Sequence, residues 1–348
     1  MRKVLAVVAA VLSCGVTITM SSCSSSESQS TAASATSVRK QYPDFLNAAT
    51  KATIAYRDTI RGLDPCGYLD QGAINRIGTP KYFGADSDFS RCTVSFSPPA
   101  GPLDIDKISV EMGGMRQPGW GTPHDVGGTT VRTSDSGEFC NAYISFDDHQ
   151  DIAFRVFTKG SFMGRGPKVD MCPTTLEIAT AAIPHLSERP LRAESQRAHM
   201  NSKLAKLDPC AVLGMVGQDH PNLAVMAGPD PWGCAFRLTR NDSSTTQRLR
   251  YLYSVDTHVT PLDDKQKATT IGGFSANEKP GPRYTQYADT CEISVSTDPQ
   301  PPVPVKDRDL HTPERNINII EVRVDGGGCD NARATAEELV RLYNQLPG

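Results

Sequence analysis

The tetrapeptide Leu-Asp-Pro-Cys occurs twice, at residues 63–66 and 207–210, and each occurrence opens a set of four cysteines. Cys66, Cys92, Cys140 and Cys172 form the first set; Cys210, Cys234, Cys291 and Cys329 form the second. Counterparts lie 144, 142, 151 and 157 residues apart. So slow a drift is what a tandem copy gives when loops lengthen in the second copy. The repeat predicts a first domain over residues 42–188 and a second over 189–348, each near the modal domain size of about 100–150 residues. They join at Ser187–Pro190 without a long linker, so the two are expected to pack together.

The N-terminus says where such a chain could reside. Arg2-Lys3 precede an apolar stretch from Val4 to about Ile18. That stretch is shorter than the ~20 residues a spanning helix needs. Ser21-Ser22 then lead into Cys23, and a Ser-rich tract runs from Ser24 to Ser37. The arrangement resembles a bacterial lipoprotein signal, with residues 1–22 removed and Cys23 carrying acyl chains (palmitate-type) on its sulfur. Residues 23–41 would then be a tether, and the membrane a partner through the N-terminal lipid. Val11-Leu12-Ser13-Cys14 is the other conceivable acceptor and would leave a very short apolar region.

Export explains the remaining cysteines. Setting aside Cys14 and Cys23 leaves eight of ten, four per repeat, and an even number in an oxidising compartment reads as disulfides. Zinc prefers close Cys-x₂₋₄-Cys pairs, whereas spacings in the first set are 26, 48 and 32 residues. Four cysteines allow three pairings per repeat. The neighbour pairing Cys66–Cys92, Cys140–Cys172, Cys210–Cys234 and Cys291–Cys329 closes the shortest loops and is preferred; the crossed pairing Cys66–Cys140 with Cys92–Cys172 stays open.

Each repeat reads as α+β with a mainly antiparallel sheet and flanking helices. Leu46, Ala49, Thr53, Tyr56 and Ile60 recur at helical spacing before Gly62, and Leu191 through Lys206 takes this part in the second repeat with a weaker stripe. Asp-Pro-Cys then suggests an N-cap, a first-turn proline and a short helix. Strand patterns follow around Cys92, Ile105–Met112, Cys140 and Ile152–Phe157, and again over Arg248–Val255 and Ile317–Val324. Gly127-Gly128 and Gly272-Gly273 mark turns or bulges. Closing helices carry Leu176, Ala179, Ile183 and Leu186 in one repeat and Ala332, Ala336, Leu339, Val340, Tyr343 and Leu346 in the other.

The signal, the doubled Leu-Asp-Pro-Cys and the single cysteine ahead of a β stretch resemble actinobacterial (mycobacterial or nocardial-type) cell-envelope lipoproteins of a family without defined function. The likeness covers both repeats and is specific in cysteine layout. It implies an extracytoplasmic, membrane-tethered α+β protein and carries no catalytic residue over. A weaker similarity, of fold and location only, is to disulfide-bonded sensor ectodomains of mycobacterial-type receptor kinases.

Chemistry is harder to find. No two of the seven histidines lie at metal-ligand spacing, and no Gly-x-Ser-x-Gly elbow exists. Neither a metal nor a cofactor is expected. Asp147-Asp148-His149-Gln150-Asp151 lacks the alternation and glycine of a calcium loop and reads as a hairpin turn. Asp325-Gly326-Gly327-Gly328-Cys329 lacks the Gly-Lys-Ser/Thr of a phosphate loop and reads as a tight strand-to-helix turn. Trp120 lies in a turn-rich loop that leaves its ring partly exposed, while Trp232, beside Cys234, is expected to pack on a disulfide. A formal net charge of −3 with 22% charged residues argues against nucleic acid as a partner. The candidate binding loop is the basic, glycine-rich stretch with Lys159, Phe162, Met163, Arg165 and Lys168, because loops carry function. Pro280–Tyr287, with Arg283, Tyr284 and Tyr287, is a lesser candidate. The reading is a non-enzymatic, lipid-anchored binding or sensing module for an envelope ligand or protein. An envelope assembly accessory is the alternative, and a polymer hydrolase a weaker one.

Overall fold

Asp64 and Asp208 act alike. Each carboxylate accepts the backbone N–H of the cysteine two residues on, at 2.8 and 2.9 Å, and each starts a 3-10 turn whose first residue is proline. The aspartate satisfies a donor the turn would orphan, and proline has no donor to lose. The structure, a computed structural model, describes residues 42–347 apart from 117, 138, 160–168, 219, 221–222, 227–229, 241–242, 256–258, 282–288 and 299–315. Cys23, the leader and the tether therefore lie outside the described residues.

The cysteines tie each turn to a strand. Disulfides join Cys66 to Cys92 and Cys210 to Cys234, then Cys140 to Cys172 and Cys291 to Cys329. Every bond stays within its own half, across separations of 24 to 38 residues. At such loop lengths each cross-link is worth about 3–4 kcal/mol in the chain-entropy account.

Strands β1 (Tyr82–Ala85), β2 (Arg91–Ala100), β3 (Ile105–Met115), β4 (Thr122–Val126), β5 (Thr129–Asp135), β6 (Cys140–Ser145) and β7 (Gln150–Thr158) form one antiparallel sheet. Its order is β1-β2-β3-β7-β6-β5-β4. The second sheet holds β8 (Ala224–Val225), β9 (Gly233–Arg240), β10 (Ser243–Val255), β11 (Lys267–Ile271), β12 (Phe274–Pro280), β13 (Thr290–Ser296) and β14 (Asn316–Asp325). Read from β8, its order is β8-β9-β10-β14-β13-β12-β11, the same path. Register extends the match to single residues. Cys92 faces Val110 and Cys234 faces Leu249, so Arg91 corresponds to Gly233 and Glu111 to Arg250.

Helices α1 (Ala48–Arg61), α2 (Gln71–Ile77), α3 (Cys172–Ala182), α4 (Leu213–Val216) and α5 (Gly328–Gln345) complete the described structure. α3 packs on β5, β6 and β7, and α5 on β13 and β14. The buried stripe Ala332, Ala336, Leu339, Val340 and Tyr343 of α5 is the one the helical spacing predicts. α3 gives way to a 3-10 turn at Ile183–Leu186, where Pro184 cannot donate to the ladder. The paired glycines are hairpin turns. Gly127 and Gly128 have φ of 59° and 86°, and Gly272 and Gly273 have 54° and 87°. Two consecutive left-handed residues are what a two-residue hairpin turn demands.

One expected helix is absent. Leu191 through Lys206 contains only 3-10 turns at Arg192–Glu194 and Leu204–Lys206. Its backbone bonds instead to the first half: Arg192 N–H to Gly62 O at 2.8 Å, Ala198 N–H to Phe83 O at 3.1 Å, and Ala85 N–H back to Ala198 O at 2.9 Å. Tertiary partners for the backbone have displaced the helical ones, which a weak apolar stripe could not prevent.

The converse contact comes from α1. Arg61 donates to Pro231 O at 2.7 Å and lies 3.3 Å from the Asp208 carboxylate, while Arg57 reaches Gly233 O and Met226 O. Arg192 donates to Phe89 O at 2.5 Å. Phe89 and Pro231 are matching positions, three residues before the matching cysteines. The segment ahead of each Asp-Pro-Cys turn thus clasps the opposite half. From Tyr42 onward the chain is one compact unit, with a continuous apolar core through both halves.

Candidate functional site

The loop singled out by sequence is only touched by the described structure. Lys159 is exposed, its N–H donating to Asp104 O at 3.0 Å, and Phe162, Met163, Arg165 and Lys168 lie outside the described residues. Arg283, Tyr284 and Tyr287 do so as well. The Asp147 cluster is a capped turn: Asp147 Oδ1 accepts the N–H groups of His149 and Gln150, and Asp151 pairs with Arg132 at 3.0 Å. Asp325 to Cys329 is a strand-to-helix turn with Gly326 and Gly328 in the left-handed region, held by N–H bonds to Asp289 O. Trp120 is 47% exposed and tilts against Tyr143. Trp232 is buried; its ring lies 4.6 Å from the Arg192 guanidinium and its Nε1–H donates to Ala205 O.

Two cavities lined by described residues bear on the site. One, of about 170 Å³, sits where the halves meet and is lined by the matching pairs Asp88 and Asp230, and Glu111 and Arg250. Both aspartates cap the same bend, accepting the N–H two residues on at 3.1 and 2.9 Å. Asp230 keeps an exposed edge, yet its carboxyl is pushed above the usual range, by burial first, with the Trp232 N–H opposing and Asp88 adding. At ~30 Å³ per water this volume holds about five waters, too little for a typical ligand.

The other cavity lies over the second sheet and measures about 390 Å³, inside the range of about 300–1,000 Å³ that small-molecule sites occupy. Its floor comes from three strands. Lys279 of β12 faces Glu292 of β13, which faces Arg323 of β14. Directly opposed residues share a sheet face, so three charged side chains lie in a row. Lys279 Nζ reaches Glu292 Oε1 at 3.0 Å, and the two side chains are only 10% and 11% exposed. Arg323 Nε donates to Asp325 Oδ1 at 3.1 Å.

A loop before β11 forms the wall. Val259 is buried against Leu252, Ile317 and Ile319, a small apolar cluster separate from the main core. From that anchor residues 260–266 run to the cavity, where Leu262, Asp263, Lys265 and Gln266 line it. Gln266 Oε1 accepts the Leu262 N–H at 3.2 Å and the Asn277 Nδ2–H at 2.9 Å, pinning loop to sheet.

The first half carries different side chains at the matching place. Ser134, Asn141 and Arg155 occupy the positions of Lys279, Glu292 and Arg323 in the same cross-strand row. Thr290 and Asp325, which face each other beside the cavity, correspond to Phe139 and Phe157. Those two rings meet at a tilt, centroids 5.4 Å apart, and the Arg155 guanidinium lies 6.0 Å from the Phe139 ring. An aromatic pair stands in one half where a threonine and a carboxylate stand beside the cavity in the other. The connections differ to match: residues 116–121 join β3 to β4, but 256–266 join β10 to β11.

Among the described residues no group of His, Cys, Asp and Glu could hold a metal ion, and no helix is long and apolar enough to cross a membrane. The chain matches no protein family, no curated protein and no solved structure.

Proposed function

We propose that this chain is a lipid-anchored, extracytoplasmic binding or sensing module of the cell envelope, built from two copies of one disulfide-bonded α+β unit and working without catalysis. The observation that carries the reading is the ligand-sized cavity beside Thr290 and Asp325 in the second half, where the first half has the aromatic pair Phe139 and Phe157. Equal strand order and equal cysteine pairing support duplication, since one ancestral unit explains both at once. Four disulfides suit an oxidising compartment, in keeping with the lipoprotein-like leader and Cys23 as anchor. In this reading the first copy is a rigid support, the second carries the ligand, and the loop with Lys159, Phe162, Met163, Arg165 and Lys168 contacts an envelope partner.

Gentle purification of the full chain from intact cells, followed by native mass spectrometry, tests the proposal. A small polar molecule should be retained, and should be lost on replacing Thr290 and Asp325 together by Phe. Retention of nothing, with crosslinked proteins mapping across both halves, would favour the assembly-accessory alternative. Cys23→Ala should shift the protein out of the membrane fraction; the same shift from Cys14→Ala would move the anchor.

A further inference from the structure

Resting on that binding reading, we infer that the cavity of the second half takes a neutral, polyhydroxylated ligand of sugar-ring size. Charge balance points there first. Lys279 is paired with Glu292 at 3.0 Å and Arg323 with Asp325 at 3.1 Å, so the floor offers charged groups already matched to one another. A phosphate or carboxylate would bring a further negative charge beside cations that Glu292 and Asp325 already neutralise, and a buried charge without its own partner is costly. A hydroxyl brings no such charge. It accepts from an ammonium or guanidinium N–H that the pair leaves over, since lysine carries three donors and arginine five.

The second observation lies beneath the pair. Asn277 and Ser294 are cross-strand neighbours, both fully buried, and Asn277 Oδ1 and Ser294 Oγ find no hydrogen-bond partner among the described residues. Asn277 lies behind the lining and is tied through its Nδ2–H to Gln266, which does line the cavity. Buried polar atoms without partners are costly, about 1–3 kcal/mol each. Gln266, held from behind by the Asn277 amide, and Thr290 give the lining an amide and a hydroxyl, groups that both donate and accept as a ligand hydroxyl does. The mixture of matched charges, an amide and hydroxyls suits hydroxyl recognition, and the about 390 Å³ volume suits one ring and its hydration.

Calorimetric titration of the full chain with four probes tests this: D-glucose and trehalose as neutral polyols, dialanine as a zwitterion, inorganic phosphate as an anion. A neutral sugar should bind, with an affinity changing less than about twofold between low and physiological salt. Lys279→Ser with Glu292→Asn, which installs the first half's residues, should weaken it at least tenfold. Thr290→Phe with Asp325→Phe should abolish it. Should that aromatic graft fold poorly, the Ser and Asn exchange alone still decides, with the melting temperature as control. Dialanine or phosphate binding that these variants remove, without sugar binding, would overturn the polyol inference and leave the binding module standing. Binding of no probe would overturn the inference; retention of a ligand by the native protein would still decide the broader reading.

Discussion

Phe139 and Thr290 stand at the same point of the same strand in two sheets of one design, each just before a disulfide-bonded cysteine. In the first half the phenylalanine finds Phe157, and Arg155 lies against its ring. In the second half Thr290 meets Asp325, and polar side chains border open volume. The comparison shows that the scaffold tolerates either solution. Its helix-covered face is fixed by buried aliphatics such as Val156 and Val324, and its other face is free to diverge. In the proposed reading, stability resides on one side of the sheet and ligand specificity on the other.

The halves differ again where they clasp each other, and here the largest effect is expected. Arg61 is paired with buried Asp208, whereas Arg192 bonds to the carbonyls of Phe89 and Met200. Burial pulls the Arg192 guanidinium down to about 10, with Asp64 and Asp88 holding it up. Arg61→Met should cost about 3–5 kcal/mol because it removes the cation paired with a buried carboxylate. Arg192→Met should cost about 1–3 kcal/mol, the loss of bonds to carbonyls. Urea denaturation of both variants measures the difference, and the reverse order would break the assignment of roles.

Equivalent disulfides should behave equally. Removing Cys66–Cys92 or Cys210–Cys234 by paired alanines opens separations of 26 and 24 residues, and each should cost about 2–4 kcal/mol. Costs differing by several kcal/mol would mean that the two turns are not equivalent supports.

Tyr68 sharpens the contrast in another way, because Val212 takes its place in the second half. Its hydroxyl is fully buried without a partner among the described residues, and its pKa is pushed up to about 12 by burial, with Arg189 opposing and Asp64 adding. A folded pKa above the unfolded value of about 10 gives stability that is whole below pH 10 and is lost as pH rises toward 12. The loss is about 3 kcal/mol at most. Tyr68→Phe should leave stability at pH 8 unchanged or higher and flatten the alkaline fall; an unchanged fall would contradict the burial account.

The smallest expected difference concerns the hairpin glycines. Gly127→Ala meets open space and should cost about 1–2 kcal/mol for its left-handed backbone. At Gly272 a Cβ would lie 2.5 Å from Val340 Cγ1 of α5, so Gly272→Ala should cost about 1–2 kcal/mol more. Equal melting temperatures for the two variants would show that α5 does not press on that turn.

Much of the scaffold was legible because it rests on local chemistry. Asp-Pro-Cys announced its capped turn, Gly-Gly a turn or bulge that proved to be a hairpin turn, and the stripe from Ala332 its helix, although Leu346, the last residue of that stripe, caps the helix instead of lying in it. The absent helix after Leu191 was not legible, since its backbone partners, Gly62 and Phe83, lie more than a hundred residues away. The cavity was missed for a related reason. Lys279, Glu292 and Arg323 are scattered in sequence and meet only through strand register. A signal was present, however: the second and third cysteines are 48 residues apart in the first set and 57 in the second. The added residues fall in the two connections that border the cavity, before β11 and before β13.

The most direct test of the central claim is a crystal structure of the full chain soaked with glucose, trehalose, dialanine and phosphate. It should show both sheets superposing with their disulfides, Phe139 and Phe157 in tilted ring contact in the first half, and a bound probe beside Lys279 and Glu292 in the second. Aromatic or loop residues filling the second half's cavity, or the same probe bound in both halves, would contradict it.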